Sequence, residues 1–442
     1  MPIFITYEIL RREKPFIIEL LSVLKINFND CIFIHQQTLV NILSFIKPSI
    51  IIFKSADFGR IAWYKKAKKA GHICYCYESE GLFVHPQDYA NVRVCSENLD
   101  LLENYFLCGK YQESLLKIKY PKHINKFKVV GSPSIDFLKK NRIFYKSNTQ
   151  KKYKIGILTG FGAYNQRGSR SYIDICKSID GDQLSEKRTN ELNELYLVSK
   201  RGFIEFQKIT KLVCRNFIQT DILIRVHPSE SLEPWLKLAN NFPNLKIDSS
   251  DSIFAFLKKC SKVVSFKSTV ALESLAVNKP IISYSPEFID PKNIFYPKNE
   301  PENLSLKVNS EKKLLNYLDP KNKLELELLN RKEVFNCAEN ICFGFSNPSY
   351  ASSKIICDLI QKNINSQKNK KYKKISNAYK IYLYTVSMVS HFLIIINKPF
   401  NYINYGRSKY GKRLELIKLN NEIQNCSFKN NFVTFFSRII IF

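Results

Sequence analysis

Acidic residues are scarce in this chain: 39 Asp and Glu stand against 68 Lys and Arg, a formal net charge of +29. That imbalance implies a standing attraction to anionic partners, whether nucleic acid, anionic lipid or phosphorylated substrates. The twelve cysteines never form a C-x-x-C followed by a second pair at zinc-ribbon spacing. Cys31, Cys74, Cys76, Cys214 and Cys260 sit inside apolar runs and read as buried thiols of a reducing compartment. The first residues, Met1–Tyr7, lack a charged n-region followed by a long apolar h-region, so no secretory leader is expected and the chain should act inside the cell. No D-x-D pair stands at the end of a strand, which argues against a site that positions a diphosphate through a metal. Low hydrophobicity is not among the absences: 45% hydrophobic against 24% charged residues excludes wholesale disorder and provides for a large core.

What is present is a repeat of short apolar runs alternating with amphipathic stretches. In the first 140 residues, strands are expected at Ile3–Tyr7, Cys31–His35, Ser49–Lys54, His72–Tyr77, Tyr105–Cys108 and Phe127–Val130. Helix-like segments at Pro15–Leu24, Thr38–Ile46, Phe58–Ala70, Glu97–Asn104 and Tyr111–Ile118 separate them, and that alternation predicts a parallel sheet. The pattern breaks at Gly131-Ser-Pro133 and restarts at Tyr153–Leu158. It continues through a long helix near Glu191–Phe217, strands Asp221–Val226 and Leu245–Ile247, helices Leu232–Asn240 and Ser252–Lys259, and strands Lys262–Ser265 and Lys279–Tyr284. The fold class is therefore α/β, with two doubly wound, Rossmann-like domains over residues 1–145 and 146–362.

Residues 363–442 differ in character, carrying fourteen Lys or Arg against Glu415 and Glu422 alone. Lys368, Lys370, Lys371, Lys373 and Lys374 precede the sixteen-residue apolar run Ile381–Ile396. A spanning helix needs about 20 apolar residues. A short aromatic-rich run beside lysines suits the interface of an anionic membrane, with packing onto the second domain as the alternative. No nucleic-acid-binding module accompanies the charge, so nucleic acid is not an expected partner.

Residues that carry chemistry are expected at strand ends. His227, after Asp221–Val226, can donate a hydrogen bond to a leaving phosphate, with Pro228 fixing the loop and Ser229 and Glu230 following. Ser268 and Thr269 open a helix, where backbone N–H groups favour phosphate or where they act as plain N-caps. Glu273 lies on that helix, Arg225 inside the strand before His227, and Gly160 and Gly162 in a glycine-bearing strand-to-helix turn of low specificity. Asn165, Arg167 and Arg170 follow that turn. Glu78 and Glu80 end a strand ahead of Gly81 and are the candidates for a catalytic carboxylate.

Taken together and in order, Tyr7–Glu13, Tyr77–Leu82, Tyr105–Gly109, Gly131–Asp136, Leu158–Gly162, His227–Glu230 with Trp235, and Ser268–Glu273 resemble the bacterial surface carbohydrate biosynthesis protein family, over about residues 1–350. That family is similar to transferases of CMP-activated acidic sugars such as Kdo or sialic acid, and more distantly to CDP-glycerol polymerases. The resemblance implies a GT-B-like architecture, two domains facing a cleft. It implies transfer from a nucleotide-sugar donor, bound by the second domain without metal or other cofactor, to a glycan or lipid-linked acceptor on the first. The expected setting is the cytoplasmic face of the cell membrane, as a peripheral enzyme of the cell envelope. The family's acidic pair is contiguous, whereas here Ser79 separates Glu78 from Glu80. A CDP-glycerol or polyol-phosphate transferase and a non-catalytic scaffold of a glycan assembly complex are the alternatives.

Overall fold

The computed structural model describes residues 2–8, 10–27, 31–78, 89–91, 93–141, 154–168, 171–174, 176, 186–250, 252–294, 301–322, 328–329, 331–366, 434–436 and 439–441. Contacts divide the chain into two units, Met1–Lys140 with Glu339–Phe442, and Asn141–Ala338.

In the first unit, β1 (Ile3–Tyr7), β2 (Cys31–His35), β3 (Ile50–Phe53), β4 (Ile73–Tyr77), β5 (Asn104–Leu107) and β6 (Phe127–Val129) are all parallel, in the order β2-β1-β3-β4-β5-β6. These runs are mostly apolar because both faces of the sheet are covered. Ile3, Ile5 and Tyr7 face one buried cluster, and Phe4 faces the other with Ile32, Ile34 and Leu39. That is the two-residue period of a strand. α1 (Leu10–Asn27) contributes Ile17, Leu20 and Leu24 to the first cluster. α2 (Gln36–Ile42) and α3 (Ile61–Lys69) contribute Leu39, Ile42, Tyr64 and Ala67 to the second. α4 (Ser96–Leu101) and α5 (Lys110–Lys119) complete the crossovers. At the carboxyl end of β3, Lys54 is buried against Glu13 at 2.6 Å and Glu8 at 3.5 Å.

Two features of this unit depart from the expected organisation. The polar break after Val130 is followed by a helix, α6 (Pro133–Lys140), whose Asp136 accepts from Ser352 N at 2.7 Å. Residues from Glu339 onward also belong here rather than with the second domain. Phe343 N donates to Cys108 O at 2.8 Å, and the buried Lys139 donates to Gly344 O and Asn347 O. The expected boundary at 362 falls within a helix, Ser352–Ser366, whose Ile356, Ile360 and Ile364 lie in the same cluster as Ile3 and Ile5. A helix whose apolar stripe is half of a core cannot be a linker, and nothing local in the sequence announces which core it fills. The basic cluster 368–374 and the apolar run 381–396 lie outside the described residues. Two short strands, Thr434–Phe436 and Ile439–Ile441, form a hairpin that pairs antiparallel with the edge of β2. Among the described residues no helix is long and apolar enough to cross a membrane.

In the second unit, β7 (Lys154–Leu158), β8 (Asp221–Arg225), β9 (Leu245–Ile247), β10 (Lys262–Ser265), β11 (Ile282–Tyr284) and β12 (Leu306–Val308) form a parallel sheet in the order β12-β11-β10-β7-β8-β9. A 31-residue helix, α7 (Glu186–Asn216), leads into β8. It buries Phe203, Phe206, Ile209 and Val213. Phe206 sets its ring edge-on to Phe266 and tilted against Phe161 and Tyr284. α8 (Glu233–Ala239), α9 (Ile253–Lys259), α10 (Val270–Ala276) and α11 (Glu311–Leu318) follow their strands, and the Ser252 hydroxyl caps α9 by accepting from Ala255 N at 3.1 Å. The doubly wound architecture expected of each half is what the structure contains.

Gly131 has φ +81, and a Cβ there would lie 2.5 Å from Phe343 O and 2.9 Å from the Tyr350 ring. Gly131→Ala therefore combines a left-handed backbone with a clash against the returning segment. It is expected to cost about 2 kcal/mol or more, read as a lowered urea midpoint. Gly160, where an added Cβ meets nothing within 4 Å, is the control substitution for stability.

Candidate functional site

The chain leaves β7 to build β8 and β9 on one side, then returns to place β10 on the other. Strand order reverses at that point, and the loops leaving β7 and β10 part in opposite directions. In open α/β sheets such a divide, at the carboxyl edge, is where ligands bind. Leu158 is in register with Arg225, and Ile157 with Val264. The segments Thr159–Gly162, Val226–Glu230 and Phe266–Thr269 are thus brought to one edge by adjacent strands.

A buried carboxylate locks the first two of these segments together. Glu230 is 2% exposed. Its Oε1 accepts from Thr159 Oγ1 at 2.6 Å and Phe161 N at 3.0 Å, and its Oε2 from Asn165 Nδ2 and Trp235 Nε1, both at 3.3 Å. Burial raises the Glu230 pKa from 4.5, and the same hydrogen bonds oppose it. Thr159 Oγ1 in turn accepts from His227 N at 3.0 Å. Arg167 N donates to Ser229 O at 2.8 Å, and Ser231 N to Asn165 O at 2.9 Å. A Cβ on Gly162 would collide with Ser229 Oγ, so this glycine serves loop-to-loop packing, whereas Gly160 faces open space.

His227 is exposed at the top of this lock. Its Nδ1 accepts from Ser229 N at 3.2 Å and lies 2.7 Å from Ser229 Oγ. An acceptor role for Nδ1 puts the proton of the neutral ring on Nε2, which makes Nε2 the donor. Ser229 acts by orienting the imidazole.

The remaining candidates divide into exposed and committed groups. Arg225 Nη1 donates to Asp248 Oδ2 at 2.8 Å and to Ser250 O at 3.0 Å, with its guanidinium over the Phe256 ring. Burial acts to raise Asp248, but hydrogen bonds from Ser250 and Arg225 outweigh it and hold the carboxyl below its ordinary value. Arg225 is thus engaged in joining β8 to the segment after β9. Ser268 Oγ accepts from Val270 N at 3.3 Å, a local cap. Thr269 is exposed and makes no side-chain capping bond, and Glu273 is half-buried in the first turn of α10. α10 has only seven residues, so a macrodipole contributes little there. Glu78 is wholly buried in the first unit, with Oε1 3.1 Å from Arg93 Nη2 and Oε2 accepting from Tyr105 Oη at 3.3 Å. Glu80, Gly81 and Arg170 lie outside the described residues. Among the described residues, no three His, Cys, Asp or Glu side chains are grouped to hold a metal ion.

Sequence reasoning passed over Lys267. It is 6% exposed, has φ +39, and its Nζ donates to Asp290 Oδ2 at 2.9 Å and Asn293 Oδ1 at 2.6 Å. A lone lysine after a strand carries no signal of burial.

The profile of a transferase family, the LIC12162 family transferases, matches residues 194–291, which include His227 and Ser268–Glu273. No curated protein matches the chain. Among solved structures, the UDP-GlcNAc 2-epimerase of Methanocaldococcus jannaschii is 12% identical, with a TM-score of 0.47, over 82% of this chain and 99% of that one. S. aureus MnaA, solved with UDP, is 14% identical over 84% and 100%, with a TM-score of 0.48. The wall teichoic acid polymerase TagF is 12% identical over 83% and 90%, with a TM-score of 0.42.

Glu230 keeps a proton longer in the folded than in the unfolded chain. Its contribution to stability is complete below its unfolded value of 4.5 and is lost as pH rises through the folded value. With Trp63 replaced by Phe, Trp235 is the sole tryptophan and its indole reports on Glu230. Its emission is expected to titrate with a midpoint above 4.5; a midpoint at or below that value, or none, sinks the assignment. Glu230→Ala strands four buried donors and is expected to cost about 1–3 kcal/mol in denaturant titration.

Proposed function

We propose that this protein is a glycosyltransferase of surface carbohydrate synthesis, GT-B-like in organisation. It moves a sugar from a nucleotide donor held at the carboxyl edge of β7, β8 and β10. The observation that carries the proposal is the meeting of three loops at the strand-order reversal, with His227 exposed and oriented there. The transferase-family match over residues 194–291, which spans two of those loops, supports it.

In this reading the donor's phosphate lies among Gly160, His227, Ser268 and Thr269. Gly160 lets the backbone approach closely, and Glu273 is assigned to the ribose hydroxyls. The acceptor oxygen forms a bond to the anomeric carbon as the bond from that carbon to the phosphate oxygen breaks. His227 Nε2 donates to the departing phosphate as its charge grows, a stabilisation that requires no metal. The hydroxyl proton passes to a carboxylate base. Both Glu78 oxygens are engaged by Arg93 and Tyr105, so Glu78 is assigned to anchoring the strand end and Glu80 to the base. Arg225 and Glu230 shape the site from behind rather than touching the donor.

The donor is proposed to be a CMP-activated acidic sugar such as Kdo, and the acceptor a glycan or lipid-linked glycan, both on the family resemblance. Phosphate retained in the product would replace this with transfer of a polyol phosphate. The basic cluster Lys368–Lys374 is proposed to hold the protein on the anionic cytoplasmic face of the membrane.

Thermal shift against CMP, CDP, UDP and GDP tests the site, since a ligand of the folded state raises its stability with concentration over Kd. A shift by at least one is expected, and none at millimolar concentration defeats the proposal. His227→Ala is expected to lower the transfer rate by about two orders of magnitude; unchanged surface glycan would instead indicate a scaffold. Replacing Lys368, Lys370, Lys371, Lys373 and Lys374 by Gln is expected to weaken cosedimentation with anionic vesicles at least about tenfold, given about 1 kcal/mol per basic residue near such a surface.

A further inference from the structure

We infer that Lys267 is a positioning residue for the nucleotide site, holding the Ser268–Thr269 segment in the one backbone form that lets it face the reversal point. The inference rests on the site reading above and adds to it a group that no motif marks.

Three observations converge on this lysine. Its φ of +39 lies in the left-handed region, which costs a residue with a Cβ on the order of 1 kcal/mol and persists only where its surroundings impose it. The surroundings here are a buried polar cluster from three separate segments. Nζ donates to Asp290 Oδ2 and Asn293 Oδ1 in the loop after β11, and Glu302 Oε2 lies 4.0 Å away in the turn before β12. The main chain is held as well: Lys267 N donates to Ser283 Oγ at 3.3 Å, and Ser283 Oγ to Glu302 Oε1 at 3.5 Å. Asn293 is itself left-handed, with φ +49. Two of the three left-handed non-glycine residues among those described are therefore hydrogen-bonded to each other, Nζ to Oδ1, at 2.6 Å.

The consequence is directional. β10 ends at Ser265 and α10 begins at Val270, so the chain must turn within four residues. A left-handed residue in mid-turn redirects the path abruptly, and the following N–H groups and hydroxyls point where that turn sends them. With the ammonium tied to the neighbouring loop, the turn is fixed before ligand arrives, which spares the ordering cost at binding. The lysine's charge is already met by Asp290, so its part is geometry rather than direct contact with phosphate.

The test is isothermal titration of the full chain with whichever of CMP, CDP, UDP and GDP the wild type binds best. Lys267→Met keeps the stem and removes the tether. It is expected to weaken binding about tenfold or more, the effect of roughly 1 Å of misplacement being large in such sites, and Lys267→Arg to restore part of the affinity. A merely structural contact would lower the melting temperature and leave Kd unchanged, and that result overturns the inference. Should Lys267→Met fail to fold, Asn293→Gly decides. Glycine accepts the left-handed φ, so the fold is kept while one tether is lost; a Kd rise of about threefold supports the inference and an unchanged Kd overturns it. A wild type that binds none of the four nucleotides removes the site reading and this inference with it, an outcome distinct from equal binding by wild type and variant.

Discussion

Everything of chemical interest in this protein follows from one constraint: each unit is a parallel sheet covered on both faces, with strand order reversed about its first strand. β1 lies between β2 and β3, and β7 between β8 and β10. Parallel strands covered on both sides carry mostly apolar side chains along their length. Ile3–Tyr7, Cys31–His35 and Ile50–Phe53 are buried at every position. Charged and hydrogen-bonding residues are consequently driven to the strand ends, and Lys54, Glu78, Glu230 and Lys267 are all found there. The fold concentrates its polar chemistry at an edge as a by-product of excluding it elsewhere.

At the carboxyl edge of the second sheet the buried charges are structural, and the proposed site is built from the exposed groups. A carboxylate removed from water is tolerated only when its oxygens are satisfied, and breaking such a set by removing one partner costs several kcal/mol. In the second unit Glu230 meets this with four donors, and Asp248 with Arg225, Ser250 and Lys259. Each closes one loop onto another. The result is a rigid rim on which His227, Gly160, Arg167 and Thr269 stand exposed. Rigidity of this kind is what a transfer site needs, because misplacement of a reacting group by about 1 Å forfeits much of its effect.

The strands were legible because a strand buried on both faces is a continuous apolar run. Ile3–Tyr7, Cys31–His35, Leu245–Ile247 and Lys262–Ser265 are found at the bounds their hydrophobicity predicts. Leu306–Val308 was not, since three residues with an exposed lysine in the middle carry too little pattern. The return of residues 339–366 to the first unit was illegible for a different reason: the apolar stripe of Ser352–Ser366 reads as amphipathic helix, and periodicity names a face without naming what it packs on. At the site, the position of His227 was readable from the strand before it. Arg225 and Glu230 stood out by position, but a charged residue near a strand end gives no sign of whether its partner is a ligand or another loop. Lys267 was invisible, because its significance lies in a backbone angle and in partners 23 and 26 residues away.

The net charge can now be divided by role. Of the +29, the tail after residue 362 holds fourteen basic residues against two acidic ones, and the candidate site lies elsewhere. Within the second unit the buried Lys267 and the half-buried Arg225 are each matched by a carboxylate. The global charge therefore supplies a diffuse attraction for anions, felt over about a Debye length of 8–10 Å at physiological salt, while in the proposed site discrimination falls to hydrogen-bond donors: backbone N–H groups, hydroxyls and the His227 ring. Such a site senses geometry more than charge. On the reading proposed above, that geometry is set by the bonds that Glu230, Thr159 and Ser229 make around the His227 loop.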